Sequence, residues 1–356
     1  MPAVFKYANP PVIHWGAGSR AELAGELARL KATRLALVTT RSLHANTQLT
    51  SQVTGALGSA EVAVTVVIGQ HAPIAEVDAA VEQSAAAEVD GVVSFGGGSP
   101  IDAAKIVAVK VADQKGPAAH ALPHIAIPTT LSVAELASGA GFTDPDGNKA
   151  GMRDPRMLPD AVFYDAELTL ATPLELWLST GIRALDHAVE GFLSEGLHPF
   201  SDVMALDAIR RLFRSLPQAK ANPDDVHVRT DNQLAAWFGY TLPGPSASGL
   251  SHVMGKQIGA RFGIPHGVTS CLVMPHVMRY IAEEQPARSL QLGQATGTGA
   301  GRLAAADDVQ RLIASLGLPQ HIASFGVTES DLRTAAAALA GRYPAADLLR
   351  IYQAAM

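Results

Sequence analysis

The protein has 356 residues, of which 48% are apolar and 17% are charged. A chain of this length and composition buries a large core in about two domains, which excludes a disordered protein. Lysine and arginine number 27 against 33 aspartates and glutamates, a formal charge of −6, whereas proteins that bind nucleic acid carry a basic excess. The composition therefore argues against nucleic acid as the main partner. A small charged metabolite remains possible, because a local patch can differ in charge from the whole protein.

Two further features bear on the compartment. No apolar run approaches the roughly 20 residues of a membrane-spanning helix, and residues 1–7 lack the basic-then-apolar plan of a signal peptide. The single cysteine, Cys271, cannot form an internal disulfide, and its apolar neighbours favour a buried side chain. We therefore expect a cytoplasmic protein that does not bind membranes.

The first half of the chain alternates short apolar runs with segments rich in alanine, leucine and glutamate. The pattern predicts helices at 21–30, 47–57, 75–87 and 101–110, and strands at 34–40, 62–68, 91–95, 124–128 and 162–165. Such alternation is typical of a parallel sheet with helices on both faces.

After about Asp165 the pattern becomes helical. Helices are predicted at 173–195, 201–215, 233–240, 251–261 and 304–316, with a loop at 244–249. We therefore expect an α/β domain at 1–166 and an all-helical domain at 167–356. The cleft between two such domains is the expected ligand site.

A glycine-rich turn, Gly96-Gly97-Gly98-Ser99, follows the predicted strand 91–95 and opens a helix. Glycine lets the backbone approach a ligand closely, and free amides at a helix N-terminus attract phosphate. A second turn places the hydroxyls of Thr129 and Thr130 just beyond another strand. The spacing fits neither the usual dinucleotide nor the Walker motif, and one such turn alone is equally consistent with a tight turn. Two of them at the carboxyl ends of strands favour a dinucleotide site.

Three histidines are candidates for the chemistry. His187 lies four residues after Arg183, and His252 lies four residues before Lys256, so each pair shares one face of a helix. His266 follows fourteen residues after His252. A lone helical histidine is usually structural, but neutral imidazoles also bind divalent transition metals. Arg183 and Lys256 are wrong for a metal site and suit an anionic ligand group.

The series of motifs resembles the iron-containing alcohol dehydrogenase superfamily, which includes glycerol dehydrogenase and the maleylacetate reductases. The resemblance implies a dehydroquinate synthase-like fold, with a dinucleotide-binding α/β domain and an all-α catalytic domain. It also implies NAD(P)-dependent redox chemistry and a homodimer. The cofactor would lie against Gly96, Gly97, Gly98, Ser99, Asp102, Thr129 and Thr130. The motifs that carry the resemblance occur at 16–19, 96–105, 128–130, 158–165, 181–191, 198–202, 264–267 and 274–278.

The chain also departs from the family pattern. In the family, an aspartate four residues before the first histidine, that histidine and two others hold iron or zinc. The histidines correspond to His187, His252 and His266, which would be the ligands of any bound metal, but the aspartate position is Arg183. A cation beside a divalent ion is strongly unfavourable. Maleylacetate reductases carry a neutral amide at this position, and they look like members of the family that work without a metal. A further family histidine is replaced by Lys256.

Other motifs do not decide to which branch of the superfamily the chain is most similar, nor whether its cofactor is NADH or NADPH. Residues 128–135 have the spacing of the maleylacetate reductases, whereas residues 99–105 resemble the alcohol dehydrogenase branch. Many family members place an aspartate after the strand at 34–40, where it binds the adenosine ribose. This chain has Thr40 and Arg41, which allow NADPH as well as NADH, although Arg41 is equally consistent with a solvated surface residue.

Our leading hypothesis is an NAD(P)H-dependent, metal-independent reductase of a carboxylate-bearing carbonyl or enone substrate such as maleylacetate. Arg183 and Lys256 would bind the carboxylate or polarise the carbonyl. His252 or His187 would supply the proton, and His266 would position the substrate.

Three alternatives remain open. Arg183 could instead form a structural ion pair with Asp186 or Glu190. A metal-dependent alcohol dehydrogenase would need another carboxylate, for example Asp186, but this residue directly precedes His187 and points away from its helix face. The third alternative is a non-redox lyase or cyclase on the same scaffold, or a ligand-binding protein.

Overall fold

The computed structural model describes residues 9–116, 120–194, 198–240, 249–297, 299 and 301–356. It divides into two compact units, an α/β unit that ends at Thr172 and a helical unit that begins at Pro173. The sequence analysis places this division between residues 166 and 167. Of the loop expected at 244–249, all but Gly249 lies outside the described residues.

The α/β unit is built on a six-stranded parallel sheet, as the sequence predicts. The strands of the unit are β1 (Val12–Trp15), β2 (Arg34–Thr40), β3 (Glu61–Ile68), β4 (Gly91–Gly96), β5 (His124–Pro128), β6 (Gly139–Thr143), β7 (Lys149–Arg153) and β8 (Ala161–Tyr164). The order in the sheet is β1-β8-β5-β4-β2-β3, and β6 and β7 form a separate antiparallel hairpin. The helices are α1 (Leu23–Leu30), α2 (Arg41–Ala45), α3 (Thr47–Gly55), α4 (Ile74–Ala86) and α5 (Gly98–Gln114). The edge strand β1, the helix α2 and the hairpin were not predicted.

Helices cover both faces of this sheet because successive residues of a strand point to opposite sides. In β2, Leu35 and Leu37 belong to a core cluster that includes buried residues of α1 and α3. Val38 belongs to a second cluster, which includes buried residues of α4 and α5. A strand buried on both faces reads as a continuous apolar run, and this explains why the sequence pattern identified it.

The strand order creates a topological switch point between β2 and β4. From β2 the chain passes outward to β3 at the sheet edge, and it then returns to β4 on the other side of β2. In the sheet register, Thr39 of β2 lies beside Phe95 of β4. The residues after these two strands are therefore neighbours at the carboxyl edge, where ligands bind in open α/β sheets.

The helical unit contains nine α-helices within its described residues. They are α6 (Leu174–Leu193), α7 (Pro199–Ala221), α8 (Val226–Gly239), α9 (Leu250–Phe262), α10 (His266–Glu284), α11 (Pro286–Thr296), α12 (Ala304–Leu316), α13 (Glu329–Leu339) and α14 (Ala345–Ala354). The sequence pattern missed α10, which contains Pro275, and also α11 and α14. It ended α7 too early, before Pro217. Cys271 is buried in α10, as expected. None of the described helices is both long and apolar enough to cross a bilayer.

A fully buried lysine joins α5 to the segment that precedes β6. The ammonium of Lys105 donates hydrogen bonds to the carbonyl oxygens of Ala134, Ala137 and Gly139, the last two at 2.8 and 2.9 Å. Burial lowers the pKa of Lys105, while the carboxylates of Asp102 and Glu135 oppose this effect. The three carbonyls have this single cation as a common donor, so the segment from residue 134 to residue 139 depends on it.

We expect Lys105→Met to lower the free energy of unfolding by about 3 kcal/mol or more, because it removes three hydrogen bonds to one charged donor. Urea unfolding followed by circular dichroism measures the change. Lys110→Met on the same helix is the matched control, since Lys110 is 39% exposed and forms one surface ion pair with Asp78. Its effect should stay below about 1 kcal/mol. Equal small effects of the two substitutions would contradict this assignment.

Candidate active site

In the α/β unit, the two turns predicted to bind the cofactor lie against each other. Helix α5 begins at Gly98, and its N-cap, Gly97, gives the first turn no side-chain hydrogen bond. A Cβ on Gly97 would lie 3.1 Å from Cγ2 of Thr130. Gly96 has a φ of +146°, and a Cβ there would lie 2.7 Å from the Pro100 ring. The first amides of α5, together with the helix dipole, thus form a site suited to an anion.

Hydrogen bonds fix the geometry of these turns. The Thr129 amide donates to the Gly96 carbonyl at 2.9 Å, and the Thr130 hydroxyl donates to Ser132 Oγ at 3.1 Å. The Ser99 hydroxyl accepts the His71 amide at 2.9 Å, so it anchors a neighbouring loop. The predicted turn residues are therefore brought together.

The remaining predicted cofactor residues differ in their placement. A Cβ on Gly96 would lie 3.5 Å from Cγ2 of Thr40, so Thr40 adjoins the glycine turn. Thr40 also caps α2, and the Leu43 amide donates to its hydroxyl at 3.4 Å. Arg41 is exposed. Asp102 accepts the Gly141 amide at 3.0 Å and therefore anchors β6.

In the helical unit, two of the three predicted histidines are in contact. The Nε2 atoms of His187 on α6 and His252 on α9 are 3.3 Å apart, and both side chains are buried. Burial lowers the pKa of His252 to about 3 and that of His187 well below its usual value. Both rings are thus neutral near pH 7. His266 is the first residue of α10 and is half-buried.

The carboxylate of Glu190 lies on the opposite edge of the His252 ring. Its Oε2 is 2.5 Å from His252 Nδ1 and accepts the Gly249 amide at 2.9 Å, and its Oε1 accepts the His252 amide at 3.1 Å. Burial raises the pKa of Glu190 to about 7. The sequence analysis considered Glu190 only as a partner of Arg183. Its spacing of three residues from His187 on one helix was the available signal.

Asp186 is a second buried carboxylate in this cluster. Its Oδ2 accepts the hydroxyls of Ser251 at 2.9 Å and Ser270 at 2.7 Å, and it lies 3.5 Å from His252 Nδ1. Burial and the nearby Glu190 raise the pKa of Asp186 to about 6. Asp186 therefore faces the Nδ1 edge of His252, whereas His187 faces the Nε2 edge.

Arg183 lies at the margin of the same cluster. Its Nη1 donates to Ser270 Oγ at 3.1 Å and is 3.9 Å from Asp186 Oδ2, so the structural pairing with Asp186 is partly realised. The side chain is 15% exposed. Its positive charge contributes to the lowered pKa values of both His187 and His252.

Lys256 differs from the other predicted active-site residues. It lies on α9, is exposed, and makes no hydrogen bond or ion pair with the residues that the structure describes. The structure therefore does not join it to Arg183.

Asp186, Glu190 and His252 lie close enough to one another to be considered as metal ligands. However, bonds of about 2.0–2.2 Å to one tetrahedral ion would separate two donor atoms by roughly 3.4 Å. The 2.5 Å between Glu190 Oε2 and His252 Nδ1 is too short for two ligands of one such ion. Both oxygens of Glu190 also accept backbone amides. We therefore interpret this trio as one edge of an imidazole packed against two carboxylates that the backbone and serine hydroxyls hold in place.

Comparison with known proteins identifies the family. A family model described as iron-containing alcohol dehydrogenase matches residues 10–166, and the C-terminal model of the same family matches residues 177–348. The maleylacetate reductase of Sphingobium indicum is 32% identical over 336 residues, which cover 94% of this chain and 90% of that protein. The chain belongs to the iron-containing alcohol dehydrogenase family. The resemblance inferred from the motifs is thereby confirmed.

Solved structures of iron-containing alcohol dehydrogenase family members have the same fold as this chain. The maleylacetate reductases of Agrobacterium tumefaciens and a Rhizobium species superpose with TM-scores of 0.86 each, at 29% and 28% identity. Each match covers 100% of this chain and 98% of the other. The expected fold is confirmed, and so is the expected class of NAD(P)-dependent oxidoreductase. The non-redox alternative is therefore not retained.

Proposed function

We propose that this enzyme reduces a carbonyl or enone substrate that bears a carboxylate, with NADH or NADPH and without a metal ion. The observation that carries the proposal is the guanidinium of Arg183 beside the buried His187–His252 pair. A fixed cation next to two neutral imidazoles suits an anionic substrate. Maleylacetate, the substrate class named by the relatives, is a dicarboxylic oxo acid with an activated double bond, and it fits this chemistry.

The residues would divide the reaction between them. The bound nicotinamide cofactor supplies the hydride. Arg183 would bind the carboxylate or polarise the carbonyl through charge-assisted hydrogen bonds, which are strong in a buried setting. His187 or His252 would supply the proton to the substrate. Lys256 as a second cation and His266 as a positioning group remain part of the proposal.

The cofactor would bind at the switch point of the parallel sheet. The uncapped N-terminus of α5 and the close approach of Gly97 to Thr130 support a phosphate there. Thr40 and Arg41 would contact the adenosine end and decide between NADH and NADPH. From the family resemblance we also propose a cytoplasmic homodimer.

The family's metal does not fit these residues. The Nε2 atoms of His187 and His252 have a suitable separation, but Arg183 stands where the family has its carboxylate. Its charge already acts on both imidazoles, so a divalent ion on the same nitrogens would be repelled. Asp186 is no substitute, because it faces the other edge of His252 and accepts two serine hydroxyls.

We expect the active enzyme to contain less than about 0.1 iron or zinc ion per chain and to keep its activity in chelator. Elemental analysis of protein purified without added metal measures this. Arg183→Asp, which restores the family's carboxylate, should gain zinc affinity in isothermal titration calorimetry. Stoichiometric metal that is lost together with activity would overturn the metal-free proposal.

We expect Gly97→Ala to weaken NADH and NADPH binding at least about tenfold, because a methyl group would occupy the space of the phosphate. Fluorescence titration of the nucleotide measures the affinity. Gly25→Ala in α1 is the matched control, since no other atom lies within 4 Å of a Cβ there. Thermal melting of the Gly97→Ala enzyme checks that Thr130 accommodates the added methyl group and that the variant is folded. Unchanged affinity in a folded Gly97→Ala enzyme would place the nucleotide elsewhere.

We expect Arg183→Met to lower kcat/KM about tenfold or more for a keto acid, because a charge-assisted hydrogen bond contributes about 1.5–3 kcal/mol. A neutral aldehyde of similar size should lose much less. Arg183→Lys keeps the charge and should retain part of the preference for the keto acid. Equal losses on both substrates would mean that Arg183 holds the cluster together and does not recognise the substrate's charge.

A further inference from the structure

The ring of His252 is held between an acceptor on one edge and a second imidazole on the other. Its Nδ1 lies 2.5 Å from Oε2 of Glu190 and 3.5 Å from Oδ2 of Asp186. The ring N–H does not point straight at either oxygen, so neither contact is an ideal hydrogen bond. Both neighbours of Nδ1 are nevertheless carboxylate oxygens, and above about pH 7 the Glu190 carboxyl is ionised and can only accept. A proton on Nδ1 is therefore favoured over a lone pair.

The surroundings of His187 independently favour the same tautomer of His252. Its Nδ1 is buried and has no hydrogen-bond partner among the described residues. A buried N–H without an acceptor is rarer in proteins than a buried acceptor without a donor. The proton of neutral His187 thus belongs on Nε2, which faces His252 Nε2 at 3.3 Å. His252 Nε2 must then be the acceptor, which again requires the proton on its Nδ1.

Backbone amides keep the Glu190 carboxylate in place. Its two oxygens accept the amides of Gly249 and His252, at the start of the helix that carries the imidazole. A Cβ on Gly249 would lie 2.5 Å from Cδ of Glu190, so the backbone approaches this carboxylate as closely as only glycine permits. Carboxylate and imidazole are therefore held by one helix N-terminus.

We propose that Glu190 is a positioning residue, which fixes His252 as the Nδ1–H tautomer and thereby orders the His187–His252 pair. The effect on turnover rests on the proposed function, whereas the tautomer itself does not depend on it. Glu190 acts through His252 and need not touch the substrate. The orienting carboxylate of a serine protease triad acts on its histidine in the same way, and loss of the correct tautomer there costs about 10⁴-fold in kcat.

The direct test is the ¹⁵N NMR spectrum of the enzyme labelled at its 12 histidines. The His252 signals are assigned as those that disappear in the His252→Gln variant. The expected result at about pH 8, where Glu190 is ionised, is a protonated Nδ1 and an unprotonated Nε2 on His252. The opposite tautomer would overturn the proposal. This measurement uses the wild-type enzyme, so it decides the question even if a Glu190 variant does not fold.

The second test is Glu190→Gln, whose amide can donate to Nδ1 and should switch His252 to the Nε2–H tautomer. We expect kcat to fall about 10²-fold or more, with KM for the keto acid and nucleotide affinity changed less than about threefold. Glu190→Asp should keep the tautomer and restore part of kcat. Asp308→Asn, which removes another buried carboxylate on α12, is the control and should leave kcat unchanged.

A folded Glu190→Gln enzyme with wild-type kcat would contradict the positioning role. Failure of the proposed function would look different. In that case the wild-type enzyme would not reduce the keto acid, while its His252 spectrum would still report the Nδ1–H tautomer.

Discussion

The positive charge of Arg183 is the constraint on which the cluster in the helical unit depends. It is held by Ser270 and lies near Asp186, within a group of two buried carboxylates and two buried imidazoles. Buried charges are costly unless they are paired, so each group's protonation depends on its neighbours. Burial raises the pKa of Asp186 and Glu190 to about 6 and about 7, and it keeps the imidazoles neutral. A further cation is disfavoured in such a setting, whereas an anionic group that reaches Arg183 is favoured.

The two edges of the His252 ring face different groups. One edge faces carboxylates, which are anchored by serine hydroxyls and by the backbone at the start of α9. The other edge faces His187. In the proposed mechanism, the first edge fixes the orientation of the ring and the second takes part in the proton transfer. On the metal-free proposal, this arrangement holds the two imidazoles together where arginine replaces the family's ligand aspartate.

The α/β unit is organised by the topology of its sheet. Because the connections of β2 and β4 leave in opposite directions, the turns after these strands are adjacent and open. The glycine turn, the Thr129–Thr130 turn and the cap of α2 meet there, and each is fixed by hydrogen bonds to its own backbone or neighbours. Lys105 of α5 also fixes the segment from residue 134 to residue 139, because its ammonium donates to the carbonyls of residues 134, 137 and 139.

The sequence alone determined the parallel sheet and the two turns. It also placed His187 with Arg183, and His252 with Lys256, on shared helix faces. These features follow from local periodicity and from motif spacing, which act over a few residues. Only the tertiary structure decided that Glu190 and Asp186 face His252, more than sixty residues along the chain. It also decided that Lys256 is exposed although it lies one turn from a buried histidine. The physical reason is that periodicity fixes which residues share a helix face, whereas packing between distant helices fixes what that face meets.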